Sequence, residues 1–227
     1  MSLYAWLMLA SLLGPLAMSF DRKVAFYKYW KGLFLGIFVN AFLFISWDSW
    51  FVKEGVWGFN PDYVWPTRWA RLPIEEWSFF VVVPYASVFI YACLRSYFPQ
   101  LKQHYAKITY LNWAVIGLLI LMLPFYGDRL YTLVNFILAI LLLVYITIWE
   151  QPQWMRSFWV AYFVHLIPFI LINGVLTGAV TSAPVVWYNS ASIIGSRFIT
   201  IPAEDFVYAL TGLLLPIWIM ERLNRMN

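Results

Sequence analysis

Residues 130–149 read LYTLVNFILAILLLVYITIW, a run without a single charge. A helix that crosses a bilayer needs about 20 mostly apolar residues, and this run meets that requirement. Six more flank it: 2–18, 32–48, 76–94, 108–125, 157–180 and 203–221. Their few charges sit mostly at the ends. One such run could be a buried element of a soluble protein, but seven within 227 residues leave the bilayer reading. Backbone groups in lipid must bond within their own segment, so the runs are expected to be helices. The alternation of an outer-membrane barrel is absent. The expected fold class is therefore all-α: a polytopic membrane protein with seven transmembrane helices.

The composition agrees. Hydrophobic residues at 63% and charged residues at 11% leave too little polar surface for a soluble domain, and they exclude disorder. The lone Cys93 excludes an intramolecular disulfide and a Cys-based zinc cluster. The net charge of +4 comes from basic residues scattered between apolar runs, so they read as topology signals and not as a nucleic-acid surface. Run 2–18 lacks the positive leading region of a signal peptide; Arg22 and Lys23 follow it instead. That order places the amino terminus outside. Segments then assigned to the inside carry ten Lys and Arg against five outside. The expected topology in the cell (inner) membrane is N-terminus out and C-terminus in.

Two outside loops repeat at an offset of 129: FNPDYVWPTRWARLPIEEW (59–77) and YNSASIIGSRFITIPAEDF (188–206). Asn60 falls on Asn189, Arg68 on Arg197, Pro73 on Pro202, Glu75 on Glu204, Glu76 on Asp205 and Trp77 on Phe206; Trp57 nearly meets Trp187. Four spans separate the copies, so both have one orientation in the membrane. This is a parallel internal repeat, with units around 32–94 and 157–221 of a single domain over 1–227. Two Asn–Arg–Pro–carboxylate units are thus expected on the same membrane face.

Proline suits the first helical turn, which puts Glu75 and Glu204 about one turn into their helices with Glu76 and Asp205 next. The simple reading is acids that complement a helix dipole. Against it, Leu72 and Ile201 before the prolines complete no capping box, and four matched carboxylates at a membrane boundary are costly. Neighbouring helix positions point about 100° apart, so one acid of each pair can face inward. Two inward carboxyls close together cannot easily both ionise, which supplies an acid and a base; Arg68 and Arg197 are expected to set their charge.

Asp48 closes the second run and is either an ordinary span-end charge or a further member of the cluster. Asn173 is either a helix–helix hydrogen bond or a support for the carboxylates. His165 reads first as a packing residue and His104 as solvated. With two His and no His-x-x-Glu pairing, no metal is expected. Aromatics number 14 Trp, 15 Tyr and 19 Phe, more than interfacial belts require; the surplus suits a pocket for something flat, apolar or transiently cationic. Phosphate-binding glycine loops and nucleophile elbows are missing, and the seventh run has no Lys for a retinal Schiff base.

WDSWFVKEGVWGFNP (47–61), RLPIEEWSFFVVVPY (71–85) and VVWYNSASIIGSRFITIPAEDFVY (185–208) resemble the integral-membrane lycopene cyclase family, and the likeness runs from LLGPLAMSFDRKVAFYKYW (12–30) to the last run. One departure is VWPTRWA (64–70), bulkier than the family's linker. The resemblance implies a non-redox cyclisation of lycopene or a related acyclic carotenoid taken from the bilayer, without flavin or nicotinamide. A carboxylic acid protonates the terminal double bond of the ψ end group, a neighbouring double bond attacks the cation, and a base removes a ring proton to give a β-ionone ring. Glu75 and Glu204 are the expected essential carboxylates, with Glu76 and Asp205 as partners. Asn60 and Asn189 would orient loops, while Trp57, Trp77, Trp187 and Phe206 would shield the cation. A carotenoid hydratase of related fold and a small proton-linked transporter are the rival readings; oligomeric state stays open.

Overall fold

The computed structural model describes residues 2–102 and 107–226, with side chains through Asn224; His104 lies outside the described residues. Seven α-helices dominate them: α1 (Leu3–Met18), α2 (Trp30–Lys53), α3 (Ile74–Tyr97), α4 (Ile108–Tyr126), α5 (Leu130–Tyr145), α6 (Met155–Leu176) and α7 (Ala203–Met226). A π-turn, Ile146–Glu150, extends α5. Six of them are long and apolar enough to cross a membrane. Seven helices stand where seven runs were expected; α1, with 16 residues and about 24 Å, is a shorter apolar helix than the other six.

Two boundaries also differ from expectation. The second helix runs past Asp48 to Lys53, so Asp48 is buried within it and does not close it. The sixth stops at Leu176 and not at 180, because Gly178 takes a left-handed φ of 102° there. The Gly178 amide bonds to the Val175 carbonyl and the Ala179 amide to the Gly174 carbonyl, a glycine-terminated helix end.

Short strands fill the two long loops that carry the repeated motifs: β1 (Trp57–Phe59), β2 (Arg68–Trp69), β3 (Leu72–Pro73), β4 (Val186–Tyr188), β5 (Arg197–Phe198) and β6 (Ile201–Pro202). Strands β1 and β4 pair antiparallel, with Gly58 opposite Trp187. The Asn60 amide donates to the Val185 carbonyl at 2.9 Å, and 129 residues on the Asn189 amide donates to the Val56 carbonyl at 2.8 Å. The hairpin pairs Arg68↔Pro73 and Trp69↔Leu72 recur as Arg197↔Pro202 and Phe198↔Ile201. Helices α3 and α7 each have 24 residues at the same offset. The correspondence reaches further than units 32–94 and 157–221: α1 and α5 have 16 residues each, with Tyr4 and Tyr131 second in line. Helix α4 stands between the two three-helix sets. An odd set alone would leave its successor inverted; one extra helix restores the orientation.

Helix α2 packs on α7, α1 on α3, α5 on α7, and α3 on α6. The α2–α7 contact is the tightest, because Gly32 and Gly36 bring α2 against the backbone of Met220 and Pro216.

Candidate active site

The first acid of each motif ties a loop to its helix. Glu75 Oε1 accepts from the Trp65 amide at 2.8 Å and the Ser2 hydroxyl at 2.5 Å. Glu204 Oε1 accepts from the Ile194 amide at 2.5 Å and the Thr132 hydroxyl at 2.6 Å. Trp65 and Ile194 are themselves 129 apart. The second oxygen of each Glu is buried without a partner among the described residues.

The second acid of each motif, about 100° further round its helix, enters a shared hollow. This hollow is about 60 Å³ and lies where α1, α2, α3, α5, α6 and α7 meet the β1–β4 ladder; Asp48, Glu76 and Asp205 all line it. Glu76 Oε2 accepts from the Tyr4 hydroxyl at 2.6 Å. Asp205 accepts from Tyr131 at 2.7 Å, the Asn173 amide at 2.8 Å and Tyr188 at 3.0 Å. Asp48 and Glu76 line the hollow together, and Tyr208 donates to Asp48 at 3.3 Å. Tyr188, in the loop, has its phenol pushed well above the usual range by burial and then by the Asp205 charge, so it stays a donor.

Asp48 stands to Glu76 as Asn173 stands to Asp205. These two lie 125 apart, as do the ring neighbours Phe44 and Phe169. The lining pairs Phe79 with Tyr208 and Phe59 with Tyr188 at 129. The two flanks therefore match in shape and differ in chemistry: two carboxyls on one, a carboxyl and an amide on the other.

Several expectations need correcting. Glu75 and Glu204, expected to lead, lie outside the hollow that receives Glu76 and Asp205. Arg68 and Arg197 are exposed, and neither pairs with a motif carboxylate among the described residues. Their two-residue strands turn them outward; Arg197 instead donates to the Thr200 carbonyl at 2.6 Å and lies over the Tyr188 ring. Tyrosine hydroxyls and backbone amides take the place expected for the guanidiniums. Of the named aromatics, Trp57 lines the hollow, while Trp77, Trp187 and Phe206 do not. Trp77 donates to the Trp69 carbonyl at 3.1 Å, Trp187 covers Gly58 so closely that no Cβ would fit, and Phe206 packs behind Phe169 at 5.3 Å. Both readings of Asn173 hold together, since its bond to Asp205 joins α6 to α7. The Asn60 and Asn189 side chains accept from the amides of Asp62 and Ala191, closing matched loop turns. His165 stacks on Phe169, with its Nδ1 buried and unpartnered among the described residues.

Sequence reasoning missed Tyr4, Tyr131, Tyr188 and Tyr208. Tyr4 and Tyr131 start spans, where tyrosine reads as an interfacial anchor. The signal that could have found them is their matching place in two equal runs.

No curated protein and no solved structure matches the chain. The sequence model of the family described as Lycopene cyclase matches residues 1–94 and 128–223. Each stretch holds one three-helix set, and α4 lies between them. On that match over most of its length, the chain belongs to the lycopene cyclase family.

Proposed function

We propose that the chain is a cofactor-independent lycopene β-cyclase, one transmembrane domain built of two related halves. The observation that carries this reading is the convergence of three buried carboxyl groups from both halves in one ring-lined hollow. Two buried carboxyls crowded on one side of the hollow cannot easily both ionise, so the Asp48–Glu76 pair holds a proton and serves as general acid. It protonates the terminal double bond of the ψ end group. The neighbouring double bond attacks the tertiary cation, a carbon–carbon bond closes the ring, and the positive charge moves to the ring carbon beyond.

Asp205 is the base. Its oxygens accept from three donors and meet no second carboxyl by hydrogen bond, an arrangement suited to a carboxylate. It removes a ring proton and leaves the β double bond. One proton enters and one leaves, so the product is an isomer of the substrate. Between the two sides stand Tyr131, Tyr188 and Tyr208, whose hydroxyls offer a route for returning the proton. The faces of Trp57, Phe79 and Phe169 suit a cation that must be kept from water. That dryness favours ring closure over hydration.

Glu75 and Glu204 position the loops that roof the hollow. The test is expression in a lycopene-accumulating host. Wild type should give cyclic pigment, whereas Glu76→Gln should leave the acyclic pigment with the protein still accumulating. Unchanged cyclic pigment from Glu76→Gln would remove it from the mechanism.

A further inference from the structure

A second cavity, of about 260 Å³, adjoins the acid hollow and shares Phe79, Phe169, Asn173 and Leu176 with it. It runs between α1, α3 and α6, from Asn173 past Val83, Ala86 and His165 to Ile90 and Pro15. Almost all of its wall is apolar. The corresponding groove on the other flank, between α7 and α2, is much narrower: Asn40, Phe44, Tyr208 and Gly212 border a space of about 50 Å³ there. A Cβ on Gly36 would stand 2.8 Å from the Pro216 carbonyl oxygen, and one on Gly32 would stand 3.2 Å from Met220 Cα. At the matching places of α6, 125 residues on, stand Ser157 and Ala161 in place of glycine. The halves match at the acids and differ at the grooves.

We infer that the α1–α3–α6 cavity is the binding groove for the linear polyene tail and that the chain holds one end group at a time. This rests on the cyclase reading for the end group's fate but not for the tail's place. A carotenoid with two open ends must then leave and rebind by its other end, so a one-ring product is released between turnovers.

The test uses the full chain carrying Glu76→Gln in detergent, titrated with lycopene and followed by quenching of tryptophan fluorescence and by the visible absorption of the bound polyene. One carotenoid per chain is expected. Ala86→Phe, and separately Val83→Phe, should weaken binding about tenfold or more. Two carotenoids per chain, or full affinity in a filled variant that keeps its helicity, would overturn the inference. The stoichiometry stands even if a filled variant fails to fold. With wild type and excess lycopene, the one-ring product should appear free first; a two-ring product from the earliest turnovers would also overturn the inference. Tight, single-site binding without any cyclisation would sink the catalytic reading and leave the groove in place.

Discussion

Asp48 and Asn173 occupy corresponding places on opposite walls of one hollow, and they differ by one functional group. Asp48 shares its side of the hollow with the carboxyl of Glu76, while Asn173 donates to that of Asp205 at 2.8 Å. In the proposed mechanism this difference gives a near-symmetric scaffold its acid side and its base side. Asp48→Asn keeps the shape and removes a proton-bearing group. Cyclisation by that variant is expected to fall about a hundredfold or more, read as the ratio of cyclic to acyclic pigment at equal protein level.

Glu75 and Glu204 should behave differently from their neighbours. In Glu75→Gln or Glu204→Gln the amide oxygen can still accept the Trp65 or Ile194 amide, and the new NH₂ falls where an unpartnered oxygen stood. Cyclisation should stay within about tenfold of wild type. Glu75→Ala removes the acceptor of the Trp65 amide and the Ser2 hydroxyl at a cost of about 1 kcal/mol for each bond, seen as a lower melting temperature in detergent. A Gln variant as inactive as Glu76→Gln would return the leading role to the first acid of the motif.

These contrasts mark how far the residues alone could be read. The apolar runs announced the helices, and the matched prolines and acids announced two equivalent units. Which acid faces inward depends on helix rotation, and adjacent positions about 100° apart leave that open. Arg68 and Arg197 are near the acids in sequence, but a two-residue hairpin between them turns the guanidiniums to the surface. Hydropathy ends a span at a charge, so Asp48 read as a boundary although its helix continues to Lys53. The open groove depends on how closely backbones approach, set by Gly32 and Gly36 through contacts distant in sequence.

Close approach of α2 and α7 should be intolerant of a side chain. Gly36→Ala places a methyl 2.8 Å from the Pro216 carbonyl oxygen, so the helices must separate. A loss of about 1–3 kcal/mol is expected, measured as a fall in thermal midpoint, while Gly117→Ala, where a Cβ meets nothing within 4 Å, should leave it unchanged.

Tyr188 gives a pH signature. Its folded-state phenol titrates above the unfolded one, so the protein gains from it below about pH 10 and loses that gain as pH rises further. Tyr188→Phe should flatten part of the alkaline loss of stability between about pH 10 and 11, followed by circular dichroism. It should also slow cyclisation about tenfold, since Asp205 loses one of its three donors.

The central claim is that ring closure begins with a proton from an exchangeable carboxyl and ends with loss of another from the ring. Cyclisation in D₂O by purified protein, with the product analysed by mass spectrometry, tests it most directly. The account predicts one deuterium retained per ring closed and no other change in composition. A product without deuterium, or one carrying an added water, would contradict it.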